Sequence, residues 1–303
     1  MRTRESAPGA MAGRVCAITG ASSGLGYETA LALARQGATV ALLCRSTERG
    51  ERAREQIAAA SGNEDLHVIA CDHANLDSVR AAAGELLAHF DALHVLVNNA
   101  GLMLMQRRIT VDDLEETFQV NHLSAFLLTA VLRERLAASA PARVITVSSV
   151  AHRMAQLDFD DLQSERLYDG FYVYGRSKLA NVLFTYELAR RLEGTGVTAN
   201  TLHPGLVRTG FGHNNGAVTR VLMMLSQLPP ISASPRRGAR TQVWLAGSPA
   251  VEQVSGRYFA RRRARRSSRN SYDREAQRRL WEASERLLGP LPGISIQSQE
   301  SIK

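Results

Sequence analysis

The stretch RVCAITGASSGLGYETALALARQG, residues 14–37, decides the fold. A short apolar run is followed by a turn with three glycines, and then by apolar residues at helical spacing. Glycines between a strand and a helix let the backbone approach a pyrophosphate, and the helix N-terminus supplies N–H donors and a partial positive charge. The stretch therefore predicts a strand, a phosphate-binding loop and a helix.

The same alternation of apolar runs and helical patterns continues along the chain. The further runs predicted as strands are ATVALLCR, LHVIACD, LHVLVNNAG, ARVITVSSV and VTANTLHP. They are mostly continuous rather than alternating, as expected of strands buried on both faces. Helical patterns separate them, and the longest spans residues 111–139. We therefore predict an α/β fold, a single doubly wound parallel sheet (Rossmann-like) flanked by helices on both faces.

The chain is predicted to form one domain with two short ends. Residues 1–12 are expected to be a disordered extension, residues 13–290 the Rossmann-like domain, and residues 291–303 a flexible tail. Segments 151–171 and 205–250 interrupt the alternation. Connections of this length in a compact domain are usually functional or mobile.

Composition limits the class of protein. The chain has 303 residues, of which 45% are hydrophobic and 22% charged, enough for a sizeable core. No apolar run reaches the roughly 18 residues of a membrane-spanning helix, and the N-terminus lacks the apolar centre of a signal peptide. We interpret the scattered Cys16, Cys44 and Cys71 as buried reduced thiols, which favours a cytoplasmic location.

Basic charge is concentrated near the C-terminus. Of the net charge of +8, residues 257–286 carry +7, from eleven arginines and four acids. The run RRRARRSSRN at 261–270 has no accompanying aromatic platform or nucleic-acid motif, so no specific nucleic-acid partner is expected. We interpret it as a solvated loop. A weak peripheral contact with an anionic membrane is the alternative, given the apolar MMLSQLPP at 223–230.

The end of the second predicted strand bears on the choice of cofactor. An NAD site would place Asp or Glu there to bind the ribose 2′-hydroxyl, but this strand ends in Leu-Cys-Arg45-Ser with no acid before Glu48. Arg45 offers a planar, permanently charged group for a 2′-phosphate. NADP(H) is therefore the predicted cofactor, with NAD(H) as the alternative. No metal is expected.

A predicted helix after residue 171 carries two pairs of a tyrosine and a cation. Residues four apart share a helical face, so Tyr172 lies near Arg176 and Tyr174 near Lys178. An adjacent cation favours phenolate and so suits a tyrosine to acid–base chemistry. Helical spacing alone leaves both pairs open.

Several motifs occur in a specific order. They are TGASSGLG at 19–26, NNAG at 98–101, VSS at 147–149, Y-x-x-x-K at 174–178 and HPGLVRT at 203–209. On these motifs, about residues 12–290 resemble the classical short-chain dehydrogenase/reductase family. The segments SSVAHR and SKLANVLFTYELARRLEGTGVTANTLHPGLVRT are similar to its retinol-dehydrogenase-like branch.

The resemblance implies hydride transfer between a nicotinamide cofactor and an alcohol or carbonyl group. It implies that Tyr174 is the acid/base and that Lys178 lowers its pKa and binds the ribose. Ser149 would orient the substrate oxygen, with Ser148 as the less favoured neighbour, and Asn121 would hold a water in a proton relay. The family motif thus selects Tyr174 with Lys178 over the other pair.

The cofactor-binding residues follow from the glycine loop, the strand end and the family motifs. The resemblance implies that Asp72 contacts the adenine and that Thr209 binds the nicotinamide carboxamide. The full predicted set is Gly20, Ser22, Ser23, Gly24, Leu25, Gly26, Arg45, Asp72, His73, Asn98, Ala100, Gly101, Tyr174, Lys178, Pro204, Gly205, Val207 and Thr209.

One feature departs from many family members. Ser149 and Tyr174 are 25 residues apart, a longer spacing than is common, although the retinol-dehydrogenase-like branch has a similar insertion. The insertion is expected to form part of the substrate wall, with Tyr172 on another helical face, packed beneath it. Membrane-bound relatives carry an apolar N-terminal anchor, which this sequence does not show.

The substrate and the assembly are predicted only by class. A lipophilic alcohol, ketone or aldehyde, a retinoid or a secondary-metabolite ketone would fit. The helical segments 110–138 and 172–193 are apolar on more than one face, which makes them candidates for pairing in a homodimer or tetramer. The alternative functions are a non-catalytic dinucleotide-binding regulatory protein and a dehydratase or epimerase of related fold.

Overall fold

The computed structural model describes residues 9–205 and 234–290. The predicted cofactor residues Val207 and Thr209 lie outside the described residues. So do the apolar run 223–230, most of the predicted N-terminal extension and the predicted tail 291–303.

A single eight-stranded sheet forms the centre of the fold. Its order is β3-β2-β1-β4-β5-β6-β7-β8; the first seven strands run parallel and β8 pairs antiparallel to β7. The strands are β1 Val15–Thr19, β2 Thr39–Cys44, β3 Leu66–Ala70, β4 Val95–Asn98, β5 Ala142–Val147, β6 Val197–Leu202, β7 Arg257–Ala260 and β8 Arg263–Arg265. The six predicted strands are confirmed.

Helices cover both faces of the sheet, as predicted. In the described ranges the α-helices are α1 Gly24–Ala34, α2 Thr47–Ser61, α3 Leu76–His89, α4 Glu116–Phe118, α5 Ser124–Ala138, α6 Gly170–Arg191, α7 Pro235–Gly247 and α8 Arg274–Leu288. One apolar cluster joins the sheet to α1, α2 and α7. A second joins the opposite face to α3, α5, α6 and α8. The doubly wound architecture is therefore confirmed.

The predicted continuous helix over 111–139 is wrong. The chain enters helix only at Glu116, widens into a π-helical turn at Gln119–Leu123 and continues as α5. Glu115 starts the helix, because its carboxylate accepts from the N–H groups of Thr117 and Phe118. A π turn is rare and is often found at functional sites. Here it contains Asn121.

The arginine-rich segment belongs to the fold and is not a solvated loop. Residues 257–265 form the β7–β8 hairpin, and α8 follows from Arg274. Arg261 and Arg262 form its two-residue turn with φ of 51° and 60°. Positive φ at both central residues matches the twist of a tight hairpin. It suits the sequence Asn-Gly better than Arg-Arg, because a Cβ is crowded at positive φ and only Gly, Asn and Asp adopt it routinely.

The double substitution Arg261→Asn, Arg262→Gly should therefore stabilise the protein. Relief of the left-handed strain is expected to raise the free energy of unfolding by about 1–2 kcal/mol. Urea denaturation of both proteins measures the difference. Arg265→Asn, in β8 rather than in the turn, is the matched control and should give no gain. An equal or lower free energy of unfolding in the double variant would contradict the prediction.

The described residues include part of the segment before the predicted domain boundary at residue 13. Met11 is only 4% exposed and packs in the cluster that contains α1 and α7. Its N–H donates to the carbonyl of Gln36. Met11 is thus part of the packed core.

The apolar faces of α6 are covered by other elements of the same chain. Nearly all residues from Gly175 to Ala189 are buried. The helix packs against β5, β6, α8, the π turn and the 3₁₀ turn Val150–Met154. Since these contacts account for its apolar faces, α6 no longer supports the predicted pairing of subunits.

Two further sequence interpretations can be compared with the structure. Cys16, Cys44 and Cys71 are free and buried, as predicted, and burial raises the pKa of each thiol. Among residues 9–205 and 234–290, no helix is both long and apolar enough to span a membrane.

Candidate active site

A cavity of about 1250 Å³ opens at the carboxyl ends of the parallel strands. This edge is where open α/β sheets bind ligands. Its walls come from the segments that follow β1 to β6. The predicted residues that line it are Gly20, Ser22, Ser23, Gly24, Leu25, Arg45, Asp72, His73, Ala100, Gly101, Ser149, Tyr174, Lys178, Pro204 and Gly205.

The loop between β1 and α1 is suited to an anion. Gly20 and Gly24 have φ of 66° and 58°, values that glycine adopts without strain. Ser23, the N-cap of α1, makes no side-chain capping bond, whereas α2 and α3 are capped by Ser46 and Asn75. The first N–H groups of α1 therefore have no side-chain cap, and the helix dipole adds positive potential. The loop fits the pyrophosphate of a dinucleotide.

Gly26 shapes the loop without lining the cavity. A Cβ on Gly26 would lie 2.3 Å from the carbonyl oxygen of Gly20 and 2.8 Å from the side-chain nitrogen of Asn99. The glycine thus permits close packing of α1 against the loop, which is the third role expected of a glycine in such motifs.

Two arginines lie at the edge of the cavity just after β2. Arg45 follows β2 and Arg49 lies in the first turn of α2; both line the cavity and both are exposed. Glu48, the first acid after β2, pairs with Arg52 at 3.1 Å and does not line the cavity. Sequence reasoning missed Arg49. Its position four residues after Arg45, at the start of a helix, could have indicated that both face the same site.

The segment after β3 contributes Asp72 and His73. A carboxylate oxygen of Asp72 accepts from the N–H of Ala74, which holds the acid at the rim. His73 is buried, and its Nδ1 lies 3.0 Å from the hydroxyl of Ser124. Burial lowers the pKa of His73 to about 4, so the ring is neutral at pH 7.

Tyr174 and Ser149 meet in the cavity although 25 residues separate them. Burial raises the pKa of Tyr174 to about 12, and its hydrogen bond with Ser149 opposes that rise. The sequence predicted a lowered pKa; the direction differs because desolvation of the phenolate outweighs the other effects. Ser148 is turned the other way, and its hydroxyl donates to the carbonyl of Lys178 at 2.7 Å.

Lys178 is buried one helical turn beyond Tyr174. Its Nζ lies 5.7 Å from the centroid of the Tyr174 ring and donates to the carbonyl of Val147 at 3.3 Å. A Cβ on Gly101 would lie 3.0 Å from this Nζ, so glycine leaves room beside the amine. Burial lowers the pKa of Lys178 to about 8, which leaves it mostly protonated at pH 7.

Asn121 lies behind the cavity wall and does not line it. Its Oδ1 accepts from the N–H of Leu102 at 2.7 Å, and its Nδ2 donates to the Leu102 carbonyl at 2.9 Å and to Ser177 at 2.8 Å. The side chain therefore fixes the segment after β4 against α6. The predicted part in a proton relay stays a proposal.

Asn98 is another predicted cofactor residue that does not line the cavity. It is buried in β4 and donates to Thr129 at 3.0 Å, so it supports the sheet. Asn99 lines the cavity instead, and its side chain donates to the Thr19 carbonyl at 2.8 Å. In a strand, neighbouring side chains point to opposite faces, and the pattern NNAG does not tell which asparagine faces the cavity.

The segment between Ser149 and Tyr174 is tied to α6 by Arg176. This side chain is buried and donates to Ser164 at 3.2 Å and to the carbonyl groups of Asp158 and Asp161. The prediction that Tyr172 packs beneath the insertion is wrong. Tyr172 lies at the cavity rim, 45% exposed, and its hydroxyl donates to the Gln156 carbonyl.

One part of the cavity wall is apolar. Its larger side chains are Leu102, Met103, Val150, Met154 and Phe171. Three of these, Val150, Met154 and Phe171, are 47%, 87% and 58% exposed. Sequence reasoning named none of the five. The segment after β4 brings Leu102 and Met103 to the cavity, and the folded insertion brings Met154 and Phe171. Among residues 9–205 and 234–290, no three side chains of His, Cys, Asp or Glu gather as metal ligands.

A doubly wound sheet with a phosphate loop and a Ser–Tyr–Lys cavity at its carboxyl edge defines a dinucleotide-dependent oxidoreductase. The family model described as short chain dehydrogenase matches residues 14–218. The chain belongs to this family of oxidoreductases.

Relatives of known name refine the position within the family. The chain is 43% identical to retinol dehydrogenase 12 of Mus musculus, over 91% of this chain and 87% of the relative. It is 44% identical to retinol dehydrogenase 14 of Homo sapiens, over 94% and 89%. The chain is therefore a retinol-dehydrogenase-like member that acts on CH–OH groups with a nicotinamide dinucleotide.

Solved structures agree with the fold. An uncharacterised protein from Mycobacterium paratuberculosis superposes with a TM-score of 0.73 at 33% identity, covering 91% of this chain and 94% of that one. The Pseudomonas aeruginosa RhlG/NADP active-site complex superposes with a TM-score of 0.67 at 27% identity, covering 84% and 97%.

Proposed function

We propose that the protein is an NADP(H)-dependent oxidoreductase that interconverts an alcohol and a carbonyl on a lipophilic substrate. The main support for this proposal is that Ser149, Tyr174 and Lys178 line the same cavity as the phosphate loop. A site for the cofactor and a proton-transfer group therefore share one space, as hydride transfer requires.

The bound nicotinamide supplies or accepts the hydride. Tyr174 gives its proton to the carbonyl oxygen in reduction and takes the hydroxyl proton in oxidation. The raised pKa keeps the phenol neutral, which is the form that donates. Lys178, with its ammonium 5.7 Å from the ring, favours the phenolate once the proton has left. Ser149 donates to the substrate oxygen and stabilises its developing charge.

Arg45 and Arg49 support a preference for NADP(H) over NAD(H). Both are permanently charged donors at the cavity edge, where a 2′-phosphate would offer acceptor oxygens. The nearest acid in sequence, Glu48, is occupied by Arg52. A ribose 2′-hydroxyl would find no carboxylate at the end of β2.

Arg45→Asp should move the preference toward NAD(H). Loss of a charged hydrogen bond, worth about 1.5–3 kcal/mol, should lower the NADPH to NADH ratio of kcat/KM by about 10- to 100-fold. The ratio is measured with one carbonyl substrate. Arg54→Ala, on α2 but outside the cavity and without contact to Glu48, is the control. Equal or better kcat/KM with NADH in the unmutated protein would refute the proposed preference.

The apolar wall supports a lipophilic substrate, and the names of the relatives make a retinoid the first compound to test. The purified protein should be assayed with NADPH and retinaldehyde, nonanal or acetophenone, and with NADP⁺ and the matching alcohols. We expect kcat/KM to be highest for the large apolar substrates. If the protein turns over none of these pairs, the non-catalytic dinucleotide-binding alternative is favoured.

Three further proposals concern the cell and the assembly. We propose a cytoplasmic location, a homo-oligomeric state and at most a weak contact with anionic membrane through the exposed arginines of the hairpin. Cell fractionation tests the first and sedimentation the second. Vesicle binding, compared with variants in which residues 261–266 lose their arginines, tests the third.

A further inference from the structure

The arginine-rich segment contacts the turn that carries Ser149. Ser149 is followed by the 3₁₀ turn Val150–Met154. Residues 266–270 lie against this turn and make three hydrogen bonds to it. Arg153 donates to the carbonyl of Arg266, Ser268 N–H donates to Nε2 of His152 at 3.1 Å, and Asn270 donates to the carbonyl of Ala155 at 3.2 Å. A segment more than a hundred residues away in sequence thus holds the turn.

His152 is the central member of this contact. It is 0% exposed, and its ring packs on that of Tyr258 in β7 with centroids 4.9 Å apart. Its Nδ1 lies 2.5 Å from the main-chain carbonyl oxygen of Ser149. One imidazole therefore spans from the proposed substrate-orienting serine to the C-terminal segment.

The partners of His152 define one tautomer. A carbonyl oxygen only accepts, so Nδ1 must carry the proton; an amide N–H only donates, so Nε2 must be bare. A protonated ring would point Nε2–H at the N–H of Ser268. Burial also lowers the pKa of His152, to about 4. The ring is thus a neutral bridge at pH 7.

The bridge acts on the backbone of Ser149. The Ser149 carbonyl accepts from the side chain of His152 and, at 3.2 Å, from its N–H. These two bonds fix the peptide plane after Ser149, whose backbone is extended with φ −143° and ψ 159°. The Ser149 side chain has only one torsion angle before its hydroxyl. The orientation of this peptide plane therefore sets where the hydroxyl meets Tyr174.

We propose that His152 is a positioning residue for Ser149, and that residues 266–270 hold it in place. This inference rests on the proposed function of Ser149. It also gives a use to the RRSSRN sequence that hydride transfer leaves unexplained. His152 contacts neither substrate nor cofactor in this view, so its effect should fall on kcat and not on cofactor affinity.

Two substitutions of His152 separate its two bonds. An asparagine amide nitrogen takes the place of Nδ1 and can donate to Ser149, whereas a glutamine oxygen reaches the place of Nε2 and can accept from Ser268. We expect His152→Gln to lower kcat at least about tenfold and His152→Asn to stay within about threefold of the unmutated protein. The Kd for NADPH, from fluorescence titration, should change less than twofold in both.

Substitutions of Ser268 test the far end of the bridge. The φ of Ser268 is −69°, which proline adopts, so Ser268→Pro removes the N–H with little strain. It should lower kcat about two- to threefold, as should His152→Asn, which loses the same bond. Ser268→Ala is the matched control, because among the described residues the Ser268 hydroxyl has no partner. It should leave kcat unchanged.

Activity is measured with the panel carbonyl of highest kcat/KM, and thermal unfolding is followed in parallel. Equal kcat in His152→Gln and His152→Asn would overturn the inference, as would equal kcat in Ser268→Pro and Ser268→Ala. If Ser268→Pro does not fold, the comparison of His152→Gln with His152→Asn decides the test. Full activity of Tyr174→Phe would instead refute the proposed function itself, whatever the His152 variants do.

Discussion

Tyr174→Phe is expected to lower kcat by about three orders of magnitude, within the range that general acid–base catalysis contributes. Phenylalanine keeps the half-buried ring in its place beside Ser149 and Lys178 but has no proton to give or accept. No other ionisable hydroxyl among the described residues shares a hydrogen bond with Ser149 in the cavity. The substitution therefore removes proton transfer with little change in shape.

Cofactor binding should survive this substitution. The proposed pyrophosphate and 2′-phosphate sites lie at α1 and at Arg45 and Arg49, on other elements than α6. We expect the Kd for NADPH, measured by fluorescence titration, to stay within a few-fold. A large loss of NADPH affinity would show that Tyr174 has a binding role, and the kcat result alone could then not establish proton transfer.

Tyr172→Phe is the matched control on the same helix. Its hydroxyl makes one hydrogen bond, to the carbonyl of Gln156 at the cavity rim, and its ring is 45% exposed. Most activity should remain. If Tyr174→Phe kept full activity, or if both variants lost it equally, the assignment of Tyr174 as the acid/base would be wrong.

The second large expected effect is loss of stability in mild acid. His73, His122 and His152 are all buried, and burial lowers their pKa values to about 4, 3 and 4. His122 packs among Phe118, Phe126 and Phe184, where a charged ring would have no water. Each ring must stay neutral in the fold.

The direction follows from proton binding. Unfolded histidine has a pKa of about 6.5, so below that pH the unfolded chain takes up protons that the folded protein does not. Stability is unaffected above about pH 6.5 and falls as the pH drops toward the folded values. At pH 5 each histidine should cost about 2 kcal/mol, and three together about 6 kcal/mol, comparable to the whole stability of many domains.

Urea unfolding at pH 7.5, 6.0 and 5.0 measures this slope. His122→Gln should reduce it by about 1.4 kcal/mol per pH unit, whatever its effect on stability at pH 7.5. Leu167→Gln is the control, because this exposed side chain does not titrate and its replacement should leave the slope unchanged. A stability that does not vary between pH 7.5 and 5.0 would contradict the prediction.

Much of the site could be predicted from sequence because its signals are local. The glycines of TGASSGLG are needed for backbone conformations and close packing within eight residues, and Tyr174 with Lys178 is a pair one helical turn apart. The apolar runs indicated strands buried on both faces without reference to partners. Arg49 was missed although it was within reach of the same reasoning.

What failed depended on contacts between distant segments. The choice between Asn98 and Asn99 depends on strand orientation, and the contacts of Asn121, in the π turn, are with the distant Leu102. Helical spacing placed Arg176 beside Tyr172, but the insertion folds over Arg176 and buries it. The raised pKa of Tyr174 likewise follows from burial, which no pattern of neighbours in sequence reports.

The sequence by itself determined the class of fold, the phosphate loop, the family and the Tyr174–Lys178 pair, because each is written in residues close together along the chain. Only the tertiary structure decided that the arginine-rich segment is a folded hairpin and that its continuation holds His152 against Ser149. The bond from Ser268 to His152 joins residues 116 apart, and a hydrogen bond at such separation leaves no periodic trace in one sequence.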